Sequence, residues 1–175
     1  MAELILVRSM RALLLLAALL VVVGIARGDM PLPPPSKVTA VSPSGAIRAV
    51  SDPDSGTRVE DVAHGKMLWR LQHWYRSMRV ANDGKHLVTE SDGMNLIPLD
   101  FRDDFVLLTF WRDGRKIRQI TIRDLFPDRR GLVRTVSHYA WRLTIDFDAH
   151  GLLRVSRVDG KTLLFDVTTG NIVKT

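Results

Sequence analysis

The fold class is decided by the stretch Tyr139-Ala140-Trp141-Arg142-Leu143-Thr144-Ile145-Asp146-Phe147. Large apolar residues occupy every second position, and mostly polar residues stand between them. Because successive side chains of a β-strand point to opposite faces, this alternation predicts a strand with one apolar face and one mostly polar face. Glycine-containing turns at 148–151 and 159–160 then separate two further apolar runs. Residues 139–173 therefore predict a three-stranded meander, with a fourth strand left open from Asn171.

Short apolar runs separated by Asp-Gly, Ser-Gly and His-Gly pairs fill most of the chain. Many short strands joined by such turns are typical of all-β sandwiches, barrels and propellers. After Asp29, the one predicted helix is short, at 122–126, and Pro127 ends it. The predicted strands are 38–41, 46–51, 57–62, 67–71, 77–81, 86–90, 104–111, 116–122, 132–137 and 139–148.

One of these strands is apolar on both faces. Residues 105–111 read Phe-Val-Leu-Leu-Thr-Phe-Trp, which suits a strand covered on both sides. An Asp-Gly turn at 113–114 follows, and the next predicted strand has charged outward positions. The sequence therefore predicts a central strand at 105–111 with a more exposed neighbour after it.

The N-terminal 28 residues have the three parts of a secretory signal peptide. Arg8 and Arg11 form a charged region, residues 12–26 form an apolar region, and small residues precede Asp29 at the −3 and −1 positions. This segment predicts a hydrophobic helix at 1–28 and a secreted or periplasmic protein. An uncleaved membrane anchor is the alternative, although a spanning helix needs ~20 apolar residues. A proline-rich spacer at 29–36 and a β domain at 37–175 complete the predicted organisation.

Composition excludes several classes of function. The chain contains no cysteine, which excludes disulfides, a thiol nucleophile and Cys-ligated zinc or iron–sulfur sites. Its net charge of +6 is spread along the sequence. A nucleic-acid-binding protein concentrates Lys and Arg on one face, so no nucleic-acid partner is predicted.

A repeated pattern gives the chain a resemblance to a known architecture. Residues 42–50, 81–88 and 146–155 each place a glycine-ended turn before a strand, and residues 165–173 read Phe-Asp-Val-Thr-Thr-Gly-Asn-Ile-Val. These motifs resemble WD40-like and PQQ-like β-propeller repeats, over about three blade-like units from residue 42 to the end. The resemblance implies antiparallel meanders arranged as an incomplete propeller. Because ~4–8 blades are typical of a closed ring, an open or sandwich-like body is expected. Association between chains, or completion of the fold by the residues between the repeats, are the alternatives.

The same comparison of motifs limits what the resemblance implies. The Trp-Asp and Gly-His signatures are absent, and the interval from Gly84 to Gly151 exceeds the usual blade length of ~40 residues. The cofactor and metal residues of the PQQ enzymes have no counterparts here. No cofactor and no enzyme function therefore carry over from these families to this sequence.

Two clusters of aromatic residues and histidines are candidate binding surfaces. The first surrounds Trp69 and His73, and the second surrounds His138 and Trp141. Flat apolar rings with polar tips suit stacking on a sugar or a peptide, and neighbouring arginines add cation–π or anion contacts. A position in the core is the alternative for Tyr139 and Trp141. We expect the residues around 73–76 to form a loop that lies next to His138. The predicted binding residues are His73, Trp74, Tyr75, Arg76 and His138.

Metal and catalytic signatures are weak. Residues 146–151 begin like a calcium loop, but His150 replaces an oxygen ligand and Arg157 stands where the closing glutamate belongs, so a turn is expected and no metal is predicted. The Gly-x-Ser-x-Gly, His-Glu-x-x-His, P-loop and Gly-x-Gly-x-x-Gly motifs are absent. Histidines and aspartates from distant strands still leave a hydrolase site open, with His73 and His138 as members.

These features together predict an exported, non-catalytic binding or structural module of the cell envelope or periplasm. The expected partner is an envelope protein or a glycan, without a cofactor. One alternative is a secreted hydrolase, and another is an accessory protein tethered to the membrane by an uncleaved N-terminal segment. The oligomeric state is left open.

Overall fold

The computed structural model describes residues 31–173 of the 175-residue chain. The predicted signal peptide lies outside the described residues. Residues 31–37, which include most of the predicted proline-rich spacer, are exposed and form neither strand nor helix. Across the described residues, no helix is long and apolar enough to cross a membrane.

About half of the described residues lie in β-strands and only one short helix is present among them, which confirms the predicted all-β class. Among residues 31–173 the single helix is the four-residue α1, and it begins and ends close to its predicted position. Between residues 31 and 173 the elements are β1 (Val38–Val41), β2 (Ile47–Asp52), β3 (Gly56–Asp61), β4 (Lys66–Leu71), β5 (Met78–Val80), β6 (His86–Glu90), β7 (Leu96–Pro98), β8 (Val106–Arg112), β9 (Arg115–Thr121), α1 (Ile122–Leu125), β10 (Val133–Arg134), β11 (His138–Ala140), β12 (Arg142–Phe147), β13 (Leu153–Arg157), β14 (Thr162–Asp166) and β15 (Asn171–Ile172).

The strands form four antiparallel sheets. Sheet A has the order β1-β2-β3-β4, sheet B the order β5-β6-β8-β9, sheet C the order β10-β11-β7 and sheet D the order β12-β13-β14-β15. Three of the four are meanders of four strands, and β7 leaves sheet B to join the small sheet C. Within residues 31–173 none of these sheets closes on itself. The meander predicted from 139–173 is present as sheet D, including its fourth strand.

Sheet B lies between two hydrophobic cores. On one face, Val88 and Phe110 belong to the core that includes Phe165 of sheet D. On the other face, Leu87 belongs to the core that includes Val59 of sheet A, and Trp111 packs against that core. The prediction that 105–111 forms a strand covered on both faces is therefore confirmed, as is the exposure of β9 beside it.

The strand predicted at 139–148 is wrong as a single element. Tyr139 lies in β11 of sheet C, while β12 of sheet D begins only at Arg142. Between them Trp141 is fully buried, and its indole N–H donates to the carbonyl of Met94 at 2.8 Å. A register shift after Arg142 leaves Leu143 66% exposed instead of on the apolar face. Apolar residues do alternate along this segment, but a β-bulge inserts Leu143 as an extra residue, so Leu143 does not share the buried face of Ile145.

The repeated sequence segments lie at equivalent places in the three four-stranded sheets. Each forms the turn between the first and second strand, at 42–46 in sheet A, 81–85 in sheet B and 148–152 in sheet D. The first two turns are closed alike, because the amides of Ser42 and Ala81 donate to the carbonyls of Ile47 and His86 at 2.9 Å. The amide of Ser44 also donates to the side chain of Asn82 at 2.9 Å, which joins these two turns.

Candidate functional site

A cleft of about 630 Å³ lies on the face of sheet B that packs against sheet A, at the part of that face that carries Thr89, Thr109 and Trp111. Three parts of the chain build it: the strands of sheet B, the segment 72–77 that connects sheet A to sheet B, and strands β7 and β11 of sheet C with the nearby loop 91–93. Its lining residues are His73, Tyr75, Thr89, Glu90, Ser91, Asp92, Gly93, Leu96, Pro98, Phe105, Val106, Thr109, Trp111, Lys116, Gln119 and His138.

Strand register places a polar floor in this cleft. Thr89 of β6 pairs with Thr109 of β8, which pairs with Gln119 of β9, so the three side chains form one cross-strand row. The Gln119 amide donates to Thr109 Oγ1 at 3.5 Å, and Lys116 Nζ donates to Gln119 Oε1 at 3.3 Å. The cleft floor thus offers hydroxyl, amide and ammonium groups on a rigid sheet.

A row of rings borders this polar floor. The centroids of His73 and Tyr75 are 5.1 Å apart, and those of Tyr75 and Trp111 are 6.0 Å apart. The Trp111 indole N–H donates to Thr89 Oγ1 at 3.0 Å, which fixes the ring against the sheet. This aromatic row, His73–Tyr75–Trp111, combines apolar ring surface with adjacent hydrogen-bonding groups.

Two hydroxyl groups at the cleft have no hydrogen-bond partner among the described residues: the Tyr75 phenol and Ser91 Oγ, which is also buried. Burial raises the pKa of the Tyr75 phenol, and the negative charge of Asp92 raises it further. The phenol therefore stays protonated at neutral pH, and its O–H remains available as a donor to a bound molecule.

Glu90 is the buried carboxylate beside the cleft, and both of its oxygens are engaged. Ser77 Oγ donates to Oε1 at 2.5 Å, while Arg142 donates to Oε2 from Nε at 2.8 Å and from Nη2 at 2.5 Å. The side chains of Glu90 and Arg142 are only 2% and 13% exposed. This ion pair joins β6 of sheet B to β12 of sheet D, so Glu90 has a structural role at the back of the site.

The structure divides the five predicted binding residues into two groups. His73, Tyr75 and His138 line the cleft together, whereas Trp74 and Arg76 do not. The Trp74 indole N–H donates to the carbonyl of Ser36 at 2.9 Å, and the Arg76 guanidinium lies 4.9 Å from the Trp74 ring centroid. Residues 73–76 therefore alternate between two sides of the connecting segment, as extended backbone does. A binding role for each of the five stays a prediction.

Sequence reasoning missed most of the cleft floor. Thr109 and Trp111 stand two residues apart on β8, a spacing that places them on one face and was readable from the sequence. The Asp-Gly turn at 113–114 also fixes which residues of β9 oppose them. Glu90 and Ser91 gave no such signal, because β6 pairs with β8 across the excursion of β7.

The segment that begins like a calcium loop and the close histidine–aspartate contacts lie outside the cleft. Asp148 Oδ1 accepts the amides of His150 and Leu152, both at 2.9 Å, so the segment that begins like a calcium loop forms a hydrogen-bonded turn. Among residues 31–173, no group of three or more His, Asp or Glu side chains is placed to hold a metal ion. The histidine–aspartate contacts His64–Asp61 and His86–Asp83 span 3.1 and 2.6 Å, and neither lines the cleft.

Comparison with known proteins gives no relative from which a function can be transferred. No protein-family model matches the sequence, and no curated protein matches it. The geometry of the cleft is therefore the ground on which a function is proposed.

Proposed function

We propose that this protein is an exported, non-catalytic binding module of the cell envelope or periplasm, and that its cleft binds a glycan. The observation that carries the proposal is the aromatic row His73–Tyr75–Trp111 beside the polar floor of sheet B. The exported location rests on the signal-like sequence at 1–28.

The chemistry of the cleft suits a sugar ring. Such a ring has an apolar face of C–H groups, which packs on an aromatic side chain, and a rim of hydroxyls, which need hydrogen-bond partners. The cleft supplies ring surface from Tyr75 and Trp111 and polar partners from Thr109, Gln119 and the unpaired phenol. Its volume lies within the ~300–1,000 Å³ typical of small-molecule sites.

The hydrogen bonds that hold the buried carboxylate of Glu90 favour binding over hydrolysis as the function of the cleft. A glycoside hydrolase needs carboxyl groups free to exchange protons and to approach the scissile bond. Both oxygens of Glu90 are held by Ser77 and Arg142, and this carboxylate lies 2% exposed. Asp92 is the other cleft carboxylate, on an exposed loop.

For the architecture, we propose that sheets A, B and D are blade-like repeats of the WD40-like or PQQ-like type. Two observations support this proposal. The first is the repeated turn at the start of each sheet. The second is a matching turn before the last strand, because Asp61 and Asp166 each stand four residues before a glycine and each accept amides of their own turn. The Asp61 turn, Asp-Val-Ala-His-Gly, has the spacing of Asp-Val-Thr-Thr-Gly at 166–170.

Calorimetric titration with defined oligosaccharides tests the function. The panel contains peptidoglycan-derived disaccharides, chitin oligosaccharides and β-glucan oligosaccharides. We expect at least one class to bind, and we expect His73→Ala and Trp111→Phe each to weaken it about 2–10-fold, which corresponds to the ~0.5–1.5 kcal/mol of an aromatic contact. Trp74→Phe is the matched control, since Trp74 lies in the same segment but outside the cleft.

Two results would contradict the proposal. The first is the absence of binding across the panel at millimolar concentration. The second is a ligand whose affinity falls with Trp74→Phe but is unchanged by the two cleft substitutions. Circular dichroism of each variant establishes that the fold is retained.

A further inference from the structure

The fold brings together cations that lie apart in the sequence, around the hairpin of β8 and β9. Six exposed Lys and Arg residues lie in this hairpin or in the segments next to it: Arg70, Lys85, Arg112, Arg115, Lys116 and Arg118. The amide of Asp113 donates to the carbonyl of Lys85 at 2.9 Å, which joins the hairpin turn to the turn before β6. A Cβ added at Gly114 would lie 3.2 Å from the carbonyl oxygen of Arg70, so β4 approaches the same turn. These contacts place the six residues in one region of the surface, the basic hairpin.

The basic hairpin accounts for the net positive charge of the described chain. Residues 31–173 carry a net charge of +4. Asp83 and Asp113 are the carboxylates of the two turns, so the basic hairpin also has a net charge of +4. Outside it, cations and carboxylates are equal in number between residues 31 and 173. The positive charge that is spread along the sequence is thus concentrated at one place in the fold, where it attracts anions.

Five of these six cations form no ion pair with any residue that the structure describes. Arg112 is the exception, because its Nε lies 3.8 Å from a carboxylate oxygen of Asp113 in a contact whose side chains are 60% and 54% exposed. An exposed pair of this kind contributes little to stability. Arg112 and Arg115 also stand directly opposite each other on the two strands. Like charges in that position are destabilising, and an anion bound between them relieves their repulsion.

A hollow of about 490 Å³ adjoins the basic hairpin, and it is lined by Arg112, Asp113, Arg115, Lys116 and Ile117. Lys116 also lines the cleft proposed to bind a glycan, so the two cavities share this residue. Its Nζ donates to Gln119 Oε1, a neutral group, at 3.3 Å, which leaves the ammonium charge uncompensated. Trp111 pairs with Lys116 across β8 and β9, which places the aromatic row and this cation side by side. An oligosaccharide with one ring on Trp111 therefore reaches the hollow with its next residues.

We propose that the glycan bound by this protein is acidic, and that its anionic group binds in the hollow while a neighbouring sugar ring packs on Trp111. This inference rests on the proposed function and names the class of glycan. The planar fork of Arg112 or Arg115 matches two oxygens of an anion, which is the carboxylate of a uronic acid or a sulfate ester. Asp92 also lines the cleft, and its charge acts on the Tyr75 phenol. This negative charge favours a neutral sugar beside Tyr75 and an acidic one beside Lys116.

The test is a calorimetric titration of the full chain with acidic tetrasaccharides and their neutral counterparts. The acids are tetragalacturonate, tetramannuronate and sulfated galactotetraose, and the neutral sugars are galactotetraose and mannotetraose. We expect at least one acid to bind about fivefold or more tightly than its neutral counterpart at ~50 mM NaCl, and this advantage to shrink at ~500 mM because salt screens exposed charges. Tighter binding of a uronate identifies the carboxylate as the anionic group, and tighter binding of the sulfated sugar identifies the sulfate.

Two substitutions separate the charge from the ring. Arg115→Gln is expected to weaken binding of the acid about 2–5-fold, which corresponds to an exposed ion pair, and to leave the neutral sugar unaffected. Trp111→Phe is expected to weaken both. Arg154→Gln is the matched control, since Arg154 is an exposed arginine of β13 that lines neither the cleft nor the hollow.

Three results would overturn the inference. The first is a neutral sugar that binds as tightly as its acidic counterpart, in which case the proposed function stands and the acidic class alone fails. The second is folded Arg115→Gln protein that binds the acid as well as wild type does. The third is an oligoglutamate of equal charge that binds as tightly as the acidic sugars, because the basic hairpin then holds anions without recognising a sugar. If no sugar of either kind binds, the proposed function fails and this inference fails with it.

Discussion

Replacement of Glu90 by leucine is expected to be among the most destabilising single changes in the β domain. Glu90 is 2% exposed, and its partner Arg142 is 13% exposed, with N–O distances of 2.8 and 2.5 Å. Removal of one member of a buried pair leaves the other charge without compensation, which costs about 3–5 kcal/mol. Ser77 also loses its acceptor. Such a loss is a large share of the ~5–15 kcal/mol that stabilises a typical domain.

The second variant of this test is the double substitution Glu90→Leu with Arg142→Met. It removes both charges and fills their volume with apolar groups, which is often close to neutral. We therefore expect the double variant to recover about 2 kcal/mol or more relative to Glu90→Leu alone, since residues in direct contact do not behave additively. Urea unfolding followed by tryptophan fluorescence measures each free energy of unfolding.

The matched control is Asp128→Asn. Asp128 and Arg130 also form an ion pair at 2.8 Å, but their side chains are 51% and 87% exposed. An exposed pair contributes no more than about 1 kcal/mol. Two results would show that the buried pair does not hold sheet B against sheet D. The first is a Glu90→Leu variant that loses no more free energy of unfolding than Asp128→Asn. The second is a double variant whose loss equals the sum of the losses measured for Glu90→Leu and Arg142→Met alone.

Three further outcomes follow from particular contacts. Gly56→Ala should cost about 1–3 kcal/mol in urea unfolding, because Gly56 has a φ of 81° and an added Cβ would clash with the carbonyl of Leu71; an unchanged midpoint would contradict this backbone geometry. Asp92→Asn should lower the pKa of Tyr75 in an ultraviolet titration yet leave it above the usual value of 10.0, since burial is the larger cause of the upward shift; a pKa unaffected by the substitution would remove Asp92 from the cleft. Burial alone raises the pKa of Glu60, but hydrogen bonds from two arginines outweigh it and the net pKa lies below 4.5. The Glu60 contribution to stability is therefore present above pH 4.5 and lost as the pH falls through the folded pKa, and Glu60→Gln should flatten the acid limb of a plot of unfolding free energy against pH.

Local signals in the sequence predict most of the strands. β1 and β6 occupy their predicted residues, and sheet D follows from alternation and from the two turns that contain glycine. These features depend on backbone geometry within a few residues, which the side chains themselves determine. The double-sided apolar pattern at 105–111 likewise predicts a central strand, because burial on both faces needs hydrocarbon on both faces.

The sequence does not predict which strands pair when they lie far apart in the chain. β7, at 96–98, is three residues long and contains Pro98, so its place in sheet C depends on its pairing with β11 some 40 residues later. The bulge beside Leu143 gave no local signal either. The sequence predicts a loop at 73–76, and that prediction does not include the alternation of its side chains between the cleft and the opposite side of the segment. His73 and Tyr75 still lie in one cleft, because residues two positions apart in an extended segment share a side. His138 reaches the same cleft from β11 of sheet C.

Binding of the ligand in the cleft beside Trp111 is tested most directly by the indole N–H resonances of the four tryptophans during a glycan titration. Trp69, Trp74 and Trp141 donate to backbone carbonyls, and none of the three lines the cleft. Trp111 donates to Thr89 inside the cleft. The structure predicts that the Trp111 indole resonance shifts saturably with added oligosaccharide while the other three stay in place. A saturable shift confined to Trp74 or Trp69, or no shift at Trp111 under conditions where calorimetry shows binding, would contradict it.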